Sequence, residues 1–160
     1  MGMQNIEVAV GVRHGKYDPF GGDGGLSEDG IADVEIVSQQ LRKFLPIELL
    51  EDTLMVRGEK RRVRETAEIV EQALGLVAVV LPILNVESNN HHAEYDEMVG
   101  EIESLLINKR AVVVVGQMDT ADVLPGKLHR SGEGYEYLMY AEALVIDAQG
   151  NIHKVEQESD

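Results

Sequence analysis

Two kinds of apolar segment alternate along the chain, and this alternation limits the fold more than any other feature of the sequence. Short continuous apolar runs are typical of buried strands, whereas apolar residues recurring every three or four positions are typical of helices that bury one face. The predicted strands are 6–12, 53–56, 77–81, 111–115, 138–147 and 152–155, and the predicted helices are 27–45, 61–74 and 95–108. Helices that connect strands favour a three-layer α/β sandwich, with a mostly parallel central sheet flanked by helices.

Local signals support these predicted elements. Ser27 is expected to cap the first helix, and Glu28 and Asp29 suit the positive end of its dipole. Gly75 is expected to end the second helix. The run 111–115 is the most hydrophobic of the strands and is expected at the centre of the sheet. The last two strands are predicted to form a hairpin across 148–151, and the glycine-rich segment 16–25 a loop.

Composition excludes several classes of function. The length of 160 residues, 44% of them apolar, predicts a single domain over 1–155 with a frayed acidic tail at 156–160. A net charge of -15 disfavours binding to nucleic acid and to anionic membranes. The absence of cysteine excludes disulfides and thiolate metal sites. No apolar stretch is long enough to span a bilayer and no signal peptide is recognised, so the expected location is cytoplasmic.

Polar residues follow three of the predicted strands. Arg13, His14 and Gly15 come directly after the first strand, Arg57 after the second and Gln117 after the central one. Ligands of open α/β sheets bind beyond the carboxyl ends of the strands, so these residues are expected at one edge. Histidine can act as a nucleophile near neutral pH, and arginine matches the geometry of phosphate.

Arginines concentrate near this predicted edge, although the chain is acidic. Five of the eight arginines are Arg13, Arg57, Arg61, Arg62 and Arg64, a concentration that a phosphate site would need. In a helix, Arg61 and Arg64 lie on neighbouring faces, while Arg62 points elsewhere and falls beside Thr66. A solvated helix face, with glutamates as partners, is the alternative for Arg61 and Arg64.

Three segments together resemble a known family. They are Arg13-His14-Gly15, Leu26-Ser27-Glu28-Asp29-Gly30 and Arg62-Val63-Arg64-Glu65-Thr66-Ala67. Their order and spacing are similar to those of the histidine phosphatase superfamily, also called phosphoglycerate mutase-like, and most similar to its small members without cap insertions, which include phosphohistidine phosphatases. The resemblance implies a phosphoglycerate mutase-like fold, His14 as the nucleophile that takes the phosphoryl group, and Arg13 and Arg62 as the groups that hold its oxygens. It implies no cofactor and no metal.

The proton donor is less sharply indicated. Glu87 falls near the family's acidic residue, with a spacing one residue looser than usual. Glu94, His91 and His92 are rivals in the same region, and a polar connection without a catalytic role is a further alternative.

The chain departs from the family pattern after the central strand. Gln117 stands where the family has a second histidine, and it can donate a hydrogen bond to a phosphoryl oxygen without bringing positive charge. Lys16 and Arg57 stand where members often have an acidic or polar residue and a serine, respectively. One of these cations is expected to offset the missing charge, or both are surface residues. His129 is expected on a surface connection without a direct role, and His153 in the terminal hairpin.

The leading hypothesis is a phosphatase that hydrolyses a phosphomonoester or a protein phosphohistidine through a phosphohistidine intermediate on His14, with lowered activity. Its expected partners are a phosphorylated small molecule or a phosphoprotein. A pseudophosphatase that binds a phosphorylated ligand or protein without turning it over is the main alternative, because of Gln117. An interaction domain that keeps only the fold is a third hypothesis. A mutase fits less well, because the chain is short and no sugar-acid pocket is matched.

Overall fold

The computed structural model describes residues 5–19, 23–85 and 92–157. In this part of the chain, six strands form one sheet in the order β3-β2-β4-β1-β5-β6. They are β1 (Val8–Arg13), β2 (Thr53–Arg57), β3 (Val79–Val80), β4 (Ala111–Gly116), β5 (Ala143–Ile146) and β6 (Ile152–Val155). The first four strands of that order run parallel, β5 is antiparallel to β1, and β6 is antiparallel to β5. The carboxyl ends of β1, β2 and β4 therefore meet at one edge.

Helices cover both faces of this sheet. They are α1 (Glu28–Leu41), α2 (Ile47–Leu50), α3 (Arg61–Leu74), α4 (His92–Ser104), α5 (Met118–Ala121) and α6 (Leu124–Leu128), with a 3₁₀ turn over Pro82–Leu84. Buried side chains of α1 and α3 pack with Val10 and Val12 of β1 on one face. Those of α4 and α6 pack with Ala9, Val112 and Val114 on the other. The expected three-layer α/β fold is confirmed. None of the helices in the described ranges has the length and apolar character needed to cross a bilayer.

The prediction for the central strand is also confirmed. β4 pairs with β1 on one side and β2 on the other, and all of its residues are buried. α3 has the predicted bounds and ends at Gly75, whose φ of 73° is the left-handed conformation that glycine tolerates. Ser27 caps α1, because the Gly30 backbone N–H donates to its Oγ at 3.0 Å.

Gly11 allows one helix to approach the sheet closely. A Cβ at this position would collide with the backbone carbonyl of Ala121 at the end of α5 and with the ring of Pro125. The absence of a side chain at Gly11 therefore lets α5 lie directly on β1. Because α5 begins immediately after Gln117, this contact helps to place that residue beside the end of β1.

Two predicted strands are shorter in the structure. Only Val79–Val80 of 77–81 pairs in the sheet, and β5 begins at Ala143 rather than at 138. The carbonyl of Leu138 accepts a hydrogen bond from the Arg13 side chain, and Ala141 has a φ of 63°. The segment 138–142 therefore turns across the sheet edge and forms backbone hydrogen bonds with the end of β1 only at Ala141 and Glu142. The third long helix is shifted, running over His92–Ser104 instead of 95–108.

The segment that was expected to form a surface connection around His129 is also different. Its first part belongs to α6, most of which is buried, and His129 itself is buried, whereas 130–132 are exposed as expected. Its Nε2–H lies 2.8 Å from the carbonyl oxygen of Glu7 and 2.9 Å from that of Asp147, while Nδ1 accepts from the Ser131 N–H at 3.1 Å. Glu7 precedes β1, so His129 ties together the edge of the sheet opposite to the end of β1 and has a structural role.

Candidate active site

The backbone of His14 is fixed where β1 ends. Its N–H donates to the carbonyl of Gly116 at the end of β4, and its carbonyl accepts from the N–H of Ala141, both at 3.0 Å. Two separate parts of the chain thus hold this residue from either side. The sequence predicted the position of His14 at the sheet edge, and the structure adds the contact with Ala141.

Hydrogen bonds assign the protonation state of the His14 ring. Nδ1–H donates to the carbonyl oxygen of Gly15 at 3.0 Å, which leaves the lone pair on Nε2. The Arg62 Nε–H approaches this lone pair at 3.4 Å. Burial, which is the largest cause, and the positive charges of Arg62 and Arg13 together lower the pKa of His14 to about 4, against the opposing hydrogen bond to Gly15. His14 is therefore neutral at physiological pH, with Nε2 in the form that can attack phosphorus.

A chain of hydrogen bonds connects the loop after His14 with the first turn of α3. The Gly15 N–H donates to Thr66 Oγ1 at 3.1 Å, and the Thr66 hydroxyl donates to the carbonyl of Arg62 at 2.7 Å. Thr66 is fully buried, so its bond with Gly15 is shielded from water, and its bond with Arg62 is partly shielded. This chain sets the position of Arg62 relative to His14.

Each arginine beside His14 lies over a tyrosine ring. Arg13 Nη1 donates to the carbonyl of Leu138 at 2.9 Å, and its guanidinium carbon lies 4.2 Å from the centroid of Tyr140. The guanidinium carbon of Arg62 lies 4.5 Å from the centroid of Tyr17. The Nε of Arg13 is buried without a hydrogen-bond partner.

The two tyrosines also surround the nucleophile candidate. Their ring centroids lie 5.4 Å (Tyr17) and 5.5 Å (Tyr140) from that of His14, and 6.2 Å from each other. The sequence analysis missed both. Tyr17 stands three positions after His14 in a glycine-rich loop, which is a weak signal, and Tyr140 lies far along the chain, so only the fold brings it here.

Gln117 lies at the same edge as His14. It follows Gly116, which pairs with Arg13 in the sheet, and it precedes α5 as its N-cap. Its backbone carbonyl accepts from the N–H groups of Thr120 and Ala121, at 3.1 and 2.9 Å, and from the Thr120 hydroxyl at 3.0 Å. The residue is thus fixed through its backbone, and its half-buried side chain retains its amide for other contacts.

The other predicted cations have different surroundings. Arg57 donates to the neighbouring carbonyl of Gly58 at 2.9 Å, and exposed Lys16 lies 4.0 Å from the carboxylate of Asp33 on α1. Arg61 pairs with Glu65 one turn later at 2.9 Å, as a solvated helix face would. These contacts direct Lys16 and Arg61 towards carboxylates, whereas Arg57 stays at the end of β2.

The candidate proton donors fall mainly beyond the part of the chain that can be described. Glu87 and His91 lie outside the described residues, and of His92 only the backbone, at the start of α4, is described. Glu94 is half-buried in the first turn of α4. His153 contacts Asp147 at 2.7 Å within the terminal hairpin, away from β1's carboxyl end.

A buried carboxyl group near Arg13 was not found by the sequence analysis. Asp122 is 1% exposed, and its Oδ1 has no hydrogen-bond partner. Burial, which is the largest cause, and the negative charge of Asp119 together raise the pKa of Asp122 to about 7, while a backbone hydrogen bond and the charge of Arg13 oppose the change. Near neutral pH this group titrates beside an arginine of the candidate site.

No protein-family model matches the chain, and comparison with the curated proteins finds no match. Solved structures are similar over almost the whole chain. A protein histidine phosphatase SixA in complex with tungstate is 17% identical, covering 94% of this chain and 97% of that one with a TM-score of 0.69. A putative phosphohistidine phosphatase SixA from Agrobacterium tumefaciens is 18% identical, covering 94% and 95% with a TM-score of 0.60.

A mycobacterial glucosyl-3-phosphoglycerate phosphatase is likewise 18% identical, covering 97% of this chain and 100% of that one with a TM-score of 0.63. At sequence identities this low, the similarity shows a shared fold alone. The phosphoglycerate mutase-like fold that the resemblance implied is therefore confirmed, and the structural likeness to histidine phosphatases with it.

Proposed function

We propose that this chain is a phosphatase that hydrolyses a phosphomonoester or a protein phosphohistidine through a phosphohistidine on His14. The observation that carries the proposal is the neutral imidazole of His14, whose Nε2 lone pair faces Arg62 and whose pKa is also lowered by the nearby charge of Arg13. A phosphate-binding pair of arginines around a nucleophilic nitrogen is the minimum that phosphoryl transfer needs. The fold shared with solved phosphatases supports the same function.

In the first step, the Nε2 lone pair attacks phosphorus and the bond from phosphorus to the leaving oxygen breaks. The imidazole gains positive charge as the new P–N bond forms, and the carbonyl of Gly15 stabilises that charge through Nδ1–H. The edges of Arg13 and Arg62 neutralise the equatorial oxygens. A carboxyl group, for which Glu87 remains the candidate, donates a proton to the leaving oxygen and contributes ~10²–10⁴-fold.

In the second step, water attacks the phosphohistidine and the P–N bond breaks. The electron pair of that bond returns to Nε2, and the carboxylate left by the first step takes the proton from the water. Gln117 can donate one hydrogen bond to the phosphoryl group but adds no charge. The loss of one such donor typically costs ~10²–10³-fold in rate, so we propose a slow enzyme.

A second candidate function is a pseudophosphatase that binds a phosphorylated ligand or protein and does not release phosphate. The observation that favours it is Gln117, since the site retains the arginines and the nucleophile but has a neutral amide after the central strand. Both functions predict phosphate binding, and they differ in turnover and in the effect of restoring a histidine.

Phosphate release from a generic aryl phosphate, followed across pH, tests the two candidates. The phosphatase proposal expects slow release by the unaltered protein, no release by His14→Ala, and faster release by Gln117→His, on the order of tenfold or more. An acid-quenched reaction should contain phosphohistidine. Gln149→His, in the exposed hairpin turn, controls for adding a histidine elsewhere.

The alternatives give different results in the same assay. No release by the unaltered protein, together with release by Gln117→His, would establish the pseudophosphatase. Absence of both release and phosphate binding in all variants would leave only an interaction domain.

A further inference from the structure

Arg13 and Arg62, the proposed phosphate-binding arginines, each lie against an aromatic ring. Within the described part of the chain, neither forms an ion pair with a carboxylate, whereas Arg61, Arg110 and Lys154 do. What contacts both guanidinium groups is an aromatic face, Tyr140 for Arg13 at 4.2 Å and Tyr17 for Arg62 at 4.5 Å.

The two ways of holding an arginine have different chemical consequences. A carboxylate engages the N–H groups along the edge of the guanidinium and neutralises its charge. A tyrosine ring engages the flat face, so the N–H groups remain free to donate within the guanidinium plane and the full positive charge remains. Phosphate is bound through those same N–H groups.

Free arginine side chains are flexible, and restricting them before the ligand arrives reduces the entropy lost on binding. The remaining contacts restrict Arg62 little, since its Nε lies a long 3.4 Å from His14. The Tyr17 and Tyr140 rings lie next to each other and also next to His14, so one aromatic pair contacts both cations and the nucleophile. Gln117 stands where the family has a second histidine and brings no positive charge. The positive charge around a bound phosphoryl group must therefore come mainly from these two arginines.

We propose that Tyr17 and Tyr140 are positioning residues, which hold Arg62 and Arg13 by their faces. Both guanidinium groups thereby stay charged, and the N–H groups that do not contact Leu138 or His14 can bind a phosphoryl group. This inference rests on the proposed phosphate site. It concerns two residues that the motifs around His14 and Arg62 do not include.

The decisive experiment measures binding of inorganic phosphate by calorimetry and does not depend on turnover. Tyr17→Leu and Tyr140→Leu remove the aromatic face, and each should weaken phosphate binding by about fivefold to 30-fold. Tyr17→Phe and Tyr140→Phe keep the face, so they should retain the affinity. Tyr135→Leu and Tyr137→Leu, which alter exposed tyrosines, are the matched controls.

A double-mutant cycle separates positioning from general damage to the fold. If Tyr17 acts through Arg62, Tyr17→Leu should weaken phosphate binding in the unaltered protein and have little effect when Arg62→Met is already present. Tyr140→Leu should behave in the same way towards Arg13→Met. A loss that is equal in both backgrounds would overturn the proposal, and this readout remains valid if a leucine variant is less stable.

Nuclear magnetic resonance titration of His14 gives an independent readout. The groups that face its ring are Arg13, Arg62, Tyr17 and Tyr140. Replacing either tyrosine by leucine should admit water and raise the His14 pKa towards its ordinary value, and phenylalanine should not.

The outcomes distinguish this inference from the proposed function. Phosphate binding that depends on the tyrosines in a protein that releases no phosphate would support the positioning role and reject the phosphatase. Turnover of aryl phosphate, with phosphate affinity unchanged in both leucine variants, would support the phosphatase and reject the positioning role. Phenylalanine variants as weak as the leucine variants, or no phosphate binding by the unaltered protein, would overturn the inference.

Discussion

The imidazole of His14 is kept neutral by its surroundings, and this determines the pH range in which it can act as a nucleophile. Burial and the nearby cations Arg62 and Arg13 lower its pKa to about 4, from an ordinary value of 6.5. The lone pair on Nε2 therefore remains available in mildly acidic solution, where an exposed histidine would be protonated.

Removing one of these charges should shift the titration of His14. In Arg62→Gln, a protonated His14 imidazole is no longer repelled by the positive charge of Arg62. The His14 pKa should therefore rise towards 6.5. The change can be followed by nuclear magnetic resonance, with the His14 signal assigned from its absence in His14→Gln. Arg64→Gln, which alters an exposed residue of the same helix, is the control. An unchanged His14 pKa in Arg62→Gln would show that the charge of Arg62 does not contribute to its lowering.

Asp122 should make the protein less stable as pH rises. Its pKa is raised to about 7 in the folded protein from an ordinary value of 3.8, so the folded state holds this proton more tightly than the unfolded state does. The stability gained from this proton is fully present below 3.8 and is lost as pH rises through about 7. His14 has the opposite effect, because its lowered pKa reduces stability as pH falls from 6.5 towards about 4.

The side chain introduced by Asp122→Asn resembles the protonated, uncharged form of Asp122. The substitution should therefore remove the loss of stability that Asp122 causes as pH rises. Relative to the unaltered protein, Asp122→Asn should become more stable as pH rises, by at most about 1.4 kcal/mol for each pH unit between the two pKa values of Asp122. Urea unfolding at about pH 5 and about pH 8 measures this difference. Asp96→Asn, at an exposed position on α4, controls for the loss of a carboxylate. A stability difference independent of pH would contradict the raised pKa.

At the scale of elements, the approach of α5 to β1 depends on the missing side chain at Gly11. Gly11→Ala would drive a methyl group into the carbonyl of Ala121, so either β1 or α5 would have to move. We expect a loss of about 1–3 kcal/mol in the free energy of unfolding, measured by urea titration. Weaker phosphate binding should accompany it, because α5 follows Gln117 directly.

Gly100 provides a matched glycine-to-alanine control. It lies within α4, is exposed, and has open space around the position of a Cβ. Gly100→Ala should stabilise the protein by about 0.5–1 kcal/mol, since alanine is the better helix former. If both substitutions changed the free energy of unfolding in the same direction, close packing at Gly11 would not explain the effect of Gly11→Ala.

The elements that the sequence predicted well are those determined by local signals. α3 has the predicted bounds because its apolar periodicity and Gly75 together define both the helix and its end. The segment 138–142 was predicted as strand because its apolar pattern is compatible with one. Its path depends instead on a distant residue, Arg13, which binds the carbonyl of Leu138. A contact of this kind has no counterpart in local sequence.

The same distinction applies to the candidate site. His14, Arg13 and Arg62 were identified because each stands in a short motif at the end of a strand or the start of a helix. Tyr140 and Asp122 belong to no motif, and they join the site only through tertiary packing. Their roles are consequences of the fold, so a single sequence without a structure could not have indicated them.

In the described part of the molecule, some cations form ion pairs with carboxylates and others do not. The net charge is -15, yet in this described part of the chain cations that form ion pairs, such as Arg61 and Arg110, lie on exposed surfaces beside glutamates. Arg13 and Arg62 are held by tyrosines instead. An incoming phosphate therefore meets a repulsive field at long range and unneutralised cations at short range.

Salt should affect these two fields differently. At about 10 mM ionic strength the screening length is about 30 Å and the whole acidic surface acts on the ligand, whereas at about 150 mM it is about 8 Å. Raising the salt between these values should therefore strengthen phosphate binding, on the order of twofold to tenfold, because repulsion is screened while the contacts with Arg13 and Arg62 persist. Competition by the added anion would act in the opposite direction, so an increase in affinity cannot come from it.

A variant with less negative charge sharpens this test. Glu97→Gln combined with Glu101→Gln removes two exposed charges from α4 and should bind phosphate more tightly at low salt, with a smaller response to added salt. Calorimetry at several salt concentrations compares it with the unaltered protein. Affinity that falls with salt by the same factor in both proteins would show that the negative charges of Glu97 and Glu101 do not weaken phosphate binding.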